Sequence, residues 1–236
     1  MIYEIIKSNN WQRPVYFSAT VTDDNYIGLG DYLVTEGMAR RLVPFKDENK
    51  FQFRVDEKLM SANFMVTPPS HSKTPQTGYF FRGLNDPNIF FDQITTNLSQ
   101  NYRSQYLTLA YYFLDNDSSK AAEVLTKMEE NLPRKVIPMD YRILYDVDML
   151  YHRIGNLNKF NELSYEVEAA ALEELRRNPG DVQSYYNPYR LLMDIYEARG
   201  DYKNAVEILQ RLDRISPGSP EIKAKIEILT QKMKGS

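Results

Sequence analysis

From about Asn101 onward, apolar positions recur every third or fourth residue, and Asp, Asn, Gly and Pro interrupt them at intervals of about one helical hairpin. That rhythm predicts amphipathic helices joined by short turns. A first hairpin is read over 101–133, with Leu109, Ala110 and Phe113 on its first helix and Ala121, Leu125 and Met128 on its second, before Pro133. A second runs from Tyr141 to Ile154, turns at Gly155-Asn156, and continues as a long helix over 158–177 that Asn178-Pro179-Gly180 stops. In the third, Ala205 lets two antiparallel helices approach closely, Gly200 supplies the positive φ that ends one helix, and Pro217 ends the other. A closing helix over 220–232 aligns Ile222, Ile226 and Leu229 on one face, as a cap for stacked hairpins.

Residues 1–95 read differently, as short extended runs broken by Pro, Gly and Asn-Asp pairs. The β-branched and aromatic run Val15 to Val21 predicts a strand ending at Thr22-Asp23-Asp24-Asn25. Asp31 is read as the cap of a short helix through Arg40, followed by a strand over 41–45, which makes a small βαβ-like unit. Phe51 to Val55 is expected to be extended, Glu57 to Met65 helical, and the Pro- and Ser-bearing stretch 67–78 a mobile loop. The fold class expected is therefore α+β, mainly α: a small mixed α/β domain over 1–95, packed on a right-handed array of about three helical hairpins over 96–236 with a C-terminal capping helix.

In the third hairpin, Leu192, Tyr196, Gly200, Tyr202, Ala205, Leu209, Leu212 and Pro217 fall at the spacing of the tetratricopeptide pattern, with Met193 where a small residue is usual. The second hairpin departs most, because Phe160 replaces the small residue of the second helix. Such arrays present their first helices to extended ligands. Tyr102, Gln105, Tyr106 and Tyr112 of the first hairpin and Tyr189 of the third are the candidate contacts for a polypeptide or protein partner. Phe113, Tyr151 and Tyr196 are assigned to the interhelical core, while the consecutive pairs Tyr111-Tyr112 and Tyr185-Tyr186 cannot all point inward.

Charge and composition narrow the classes. The first hundred residues carry 10 cations against 11 anions and the remainder 19 against 21, so no basic footprint for nucleic acid exists. The chain lacks Cys, which removes disulfides, thiolate nucleophiles and Cys-ligated zinc. No stretch is long and apolar enough to insert in a membrane, and Met1 does not open a secretory signal. His71 and His152, the two histidines, are assigned to loop and helix surface, and no metal is expected. Asp115-Asn116-Asp117 begins like a calcium loop, yet Lys120 stands where Gly is required and Thr126 where the bidentate Glu belongs. No phosphate loop, nucleophile elbow or zinc-protease motif is present, so neither catalysis nor a cofactor is assigned to this chain. Arg13, Glu36 and Arg41 form a candidate charge cluster, either an internal pair (Arg13 to Glu36, or Arg41 to Glu36) or an anion-binding site.

The blocks Asn9-Asn10-Trp11-Gln12-Arg13-Pro14-Val15-Tyr16-Phe17, Tyr26-Ile27-Gly28-Leu29, Tyr32-Leu33, Glu36-Gly37 and Arg41-Leu42-Val43-Pro44, then Phe81 to Asn88 and Asn101-Tyr102-Arg103, occur in this order. In this the chain resembles the C-terminal soluble region of a bacterial polytopic membrane family of unknown function related to protein O-mannosyltransferases. The resemblance implies a non-catalytic extracytoplasmic, periplasmic domain that follows a membrane portion bearing the acidic catalytic residue, with Met1 an internal or artificial start. It carries no catalytic residue onto this chain. Two other classes stay open: a freestanding cytoplasmic tetratricopeptide adaptor, and a carbohydrate-binding module or hydrolase using Asp23, Asp24 or Glu36 beside aromatic platforms.

Overall fold

The computed structural model describes residues 1–46, 54–68, 73–74 and 76–235. These divide into two compact units, Met1–Pro138 and the residues from Met139 onward. The chain is mainly helical with one small sheet, the α+β class its patterning predicts.

In the first unit, α1 (Ile2–Asn9) leads into β1 (Tyr16–Ser18), β2 (Leu33–Thr35) and β3 (Ala39–Leu42). The strands form an antiparallel sheet in the order β1-β3-β2, with Tyr16 opposite Arg41 and Leu33 opposite Leu42. Here the sequence expectation fails. The stretch read as a helix from Asp31 to Arg40 is a β-hairpin, and no parallel βαβ unit forms among the described residues. Asp31 lies in a short 3-10 turn (30–32) and caps no α-helix. Leu33, Val34 and Thr35 are all buried, which favours a covered strand, and the hairpin reverses at Gly37 with φ +135°. A Cβ at Gly37 would come within 2.4 Å of the Tyr79 hydroxyl oxygen, so the turn needs glycine for both its backbone angle and its space.

Tyr26, Leu33 and Leu42 form a small core against which Ile6, Val15, Phe17, Val21, Leu29 and Tyr32 pack. Val55 bridges Thr35 in parallel, while residues 51–53 of the predicted extended run lie outside the described residues. So do His71 and most of 69–75 in the predicted loop. Next, α2 (Glu57–Phe64) starts at Asp56, whose carboxylate accepts from Leu59 N at 3.0 Å. The first hairpin follows, α3 (Gln93–Leu114) and α4 (Ser118–Asn131), capped by Asp92 and Asp117. Asp117 is thus a helix cap, the ordinary use of an acidic turn. An aromatic seam ties α3 to the segments before it: Phe64 packs on Tyr79 and Tyr106 with ring centroids 5.0 and 4.7 Å apart, and Phe81 lies 5.5 Å from Tyr102.

The second unit contains α5 (Tyr141–Ile154), α6 (Leu157–Arg177), α7 (Pro188–Arg199), α8 (Tyr202–Ile215) and α9 (Pro220–Gly235). Asp140, Asn156, Asn187 and Asp201 cap the first four of these through backbone amides in the first turn. Gly200 takes φ +73° between α7 and α8, and Ala205 is fully buried where those helices meet. Each helix packs on the next, the sequential pairing expected of a helical-hairpin array. Phe113, Tyr151 and Tyr196 are buried, as their helical spacing predicts.

Candidate functional site

The Glu36 cluster is built by the β2–β3 hairpin. Arg41 donates from Nε to Glu36 Oε1, and the Tyr16 hydroxyl donates to Oε2 at 3.1 Å. The Glu36 backbone carbonyl accepts from Asn63 Nδ2 at 2.7 Å. Of the two pairings read from the sequence, the structure forms Arg41 with Glu36. Arg13 is exposed at another point, where its backbone N and O are both bound by the Asn9 side chain. Glu36 thus serves both a guanidinium and a phenol, the internal pairing that is one of the two roles read for this cluster. Asp23 and Asp24 are exposed in a 3-10 turn (23–26).

The predicted groove residues of α3 meet other fates. Tyr106 has no exposed surface: its hydroxyl donates to Phe64 O at 2.9 Å and accepts from Asn131 Nδ2 at 2.7 Å. Burial pushes its phenol well above the ordinary tyrosine range. Gln105 is buried with Oε1 lacking a hydrogen bond among the described residues. Tyr189, in the second unit, is buried and donates to Pro179 O at 3.0 Å. Contrary to the expectation of an accessible groove, these three side chains belong to the core, and for Tyr106 and Tyr189 other segments supply partners for the hydroxyl. Tyr102 and Tyr112 keep part of their surface. Tyr102 shares the aromatic seam with Tyr79 and Phe81, and Tyr112 donates to Glu57 Oε2 at 3.2 Å.

The face where α5 meets α7 carries the denser constellation. Tyr145 donates to Asp194 Oδ2 and Tyr186 to Asp146 Oδ2, each at 2.7 Å. Tyr141 donates to Tyr186 O at 3.3 Å. Arg190 donates to Tyr185 O at 3.2 Å, stacks 4.0 Å above the Tyr185 ring, and places Nε 3.7 Å from Asp194 Oδ2. Burial raises the carboxyls of both Asp146 and Asp194, with the tyrosine bonds and Arg190 acting in the opposite direction. Tyr185 is 63% exposed and stands edge-on to Tyr186. The sequence signal for this face was the run of tyrosines at 185–189; what it lacked was the pairing of Tyr186 with Asp146 of α5 and of Tyr145 with Asp194 of α7. Exposed ring, stacked guanidinium and half-buried carboxylates suit the amides, rings and cationic groups of a polypeptide.

Among the described residues no group of three or more His, Asp or Glu is placed to hold a metal ion, and no helix is long and apolar enough to cross a membrane. Comparison with curated proteins and with solved structures returns no match. Residues 1–59, spanning α1, the sheet and the start of α2, match the model of the family described as TMEM260-associated domain 2, which links this part of the chain to a TMEM260-like, O-mannosyltransferase-related family and fits an accessory domain of a membrane protein.

Proposed function

We propose that this chain is a non-catalytic extracytoplasmic domain of an O-mannosyltransferase-related membrane protein and that it holds a polypeptide on the α5–α7 face. The match over residues 1–59 supports the first half of this reading. The second half rests on Tyr185 and Arg190: a largely exposed ring with a guanidinium stacked on it, flanked by Asp146 and Asp194. Such a surface gives an extended chain a rigid platform at small cost in side-chain entropy. The membrane portion of the parent protein is the second partner, and any transfer chemistry resides there.

Reduced, carboxymethylated α-lactalbumin serves as a generic unfolded polypeptide. The chain is expected to bind it, and Tyr185→Ala combined with Arg190→Ala to weaken binding about tenfold or more, the loss of roughly 1.4 kcal/mol, with unchanged thermal unfolding. Equal affinity of the folded double variant would remove the α5–α7 face from this reading. Fractionation of the source cells tests the membrane half independently: an antibody to this domain is expected to detect a membrane band much larger than 27.6 kDa.

A further inference from the structure

Deep in the second unit, where α5, α6 and α7 pack together, one carboxylate lacks what buried carboxylates ordinarily have. Asp148 of α5 has no exposed surface, and neither of its side-chain oxygens accepts a hydrogen bond among the described residues. Arg199, the last residue of α7, supplies the charge that acts on it. That guanidinium is already engaged. It pairs with Glu168 Oε2 of α6, lies 4.4 Å over the Tyr165 ring and 5.3 Å over the Tyr196 ring, and leaves Nε buried without an acceptor. Glu168 in turn accepts from the Tyr196 hydroxyl at 2.8 Å. An ionised, unbonded carboxylate in such a place is costly, and it is relieved either by a proton or by water reaching it when the helices part.

We propose that the joint between the α5–α6 and α7–α8 hairpins is proton-operated: it closes with Asp148 protonated, and opening exposes Asp148 and releases that proton. The arrangement has a definite sign. Burial pushes the Asp148 carboxyl up to about 8 in the closed joint, with Arg199 opposing the shift, while an opened joint returns it to the ordinary carboxylate range near 4. The closed form therefore holds one more proton than the open form between these limits. Closure is strongest below the lower limit, weakens as pH rises toward the upper one, and changes no further through Asp148 above it.

Besides Arg199, which acts on Asp148 directly, the titratable groups described on these helices are Glu168 and Tyr165 on α6, Tyr196 and Asp194 on α7, and Tyr145, Asp146, Tyr151 and His152 on α5. Asp146 and Asp194 are also raised by burial and act in the same direction. The decisive quantity is thus the difference between the wild type and Asp148→Asn, which keeps the shape and removes the titration. This inference does not depend on the polypeptide-binding reading.

Hydrogen exchange of α5, α6 and α7 amides in the full chain, corrected for the intrinsic pH dependence of exchange, measures the opening constant from pH 5 to 9. Relative to Asp148→Asn, the wild-type opening constant is expected to rise about tenfold per pH unit between about 5 and 8 and then to level off. Parallel profiles for the two proteins would overturn the proposal. Should Asp148→Asn not fold, the wild type decides through two readings: an Asp148 13Cγ midpoint within about a unit of 8 together with helix opening that rises with pH below that midpoint supports the proton-operated joint, and a midpoint in the ordinary carboxylate range or opening that is independent of pH overturns it.

Discussion

Replacing Arg103 with Met tests how the connection after α4 is held. Arg103 is fully buried on α3, and its guanidinium fans out to backbone carbonyls of a single stretch of chain. Nη2 donates to Leu132 O at 2.9 Å and to Ile137 O, while Nη1 donates to Pro138 O at 3.1 Å and to Gln100 Oε1 at 3.0 Å. Desolvation lowers the guanidinium to about 10, partly offset by Glu129, so it remains charged at neutral pH. Methionine fills much of the same volume without a donor. Two buried carbonyls, those of Leu132 and Ile137, would then lose a charged partner at about 1–3 kcal/mol each, while the carbonyl of exposed Pro138 keeps Gln100 Nε2 at 3.0 Å. Against that stands the recovered cost of burying a guanidinium, itself several kcal/mol. No charge is left behind, so the two terms largely offset and we expect a net loss of about 1–3 kcal/mol. Urea unfolding followed through Trp11, the single tryptophan and a member of the same unit, measures it. Arg103→Lys is expected to fall between the two, since one ammonium cannot span the fork of acceptors. A loss below about 1 kcal/mol for Arg103→Met, or a gain, would show that desolvation cancels the hydrogen bonds and that the connection is held by other means.

Other consequences are more local. Gly37→Ala combines a disfavoured positive φ with a clash against the Tyr79 hydroxyl, and is expected to cost about 2–4 kcal/mol in the same urea assay; a neutral result would contradict the described hairpin turn. Tyr79→Phe deletes the hydroxyl that accepts from Met38 N at 2.9 Å, and is expected to cost about 1–2 kcal/mol; an unchanged midpoint would mean the amide has found another partner. Ala205→Leu forces a larger side chain between α7 and α8 and is expected to lower stability by about 1–3 kcal/mol in calorimetry of the chain, whereas tolerance would argue against close approach of those helices.

The helices of the second unit and their ends could be read in the sequence because their causes are local, whereas α1 was not read and α3 begins at Gln93, before the predicted start of the first hairpin. Asp140, Asn156, Asn187 and Asp201 each bind amides within their own first turn, and Gly200 ends α7 by its own backbone angle. The hairpin at 33–42 was hidden because strands of three and four residues carry little local signal and β3 is also held by the distant β1, while Asp31 offers a local cue that points to a helix. The site residues divide in the same way. That tyrosines of α3 and the 185–189 run matter for packing or contact follows from their spacing. That Tyr106 is sealed by Phe64 and Asn131, that Tyr189 spends its hydroxyl on Pro179, and that Asp148 is buried without a hydrogen-bond partner depends on segments brought together by folding. Period and capping act within a turn or two of helix, so the sequence by itself determined where the helices of the second unit lie. Burial and polar pairing are properties of three-dimensional neighbourhoods, so only the tertiary structure decided which polar side chains are core and which face a partner.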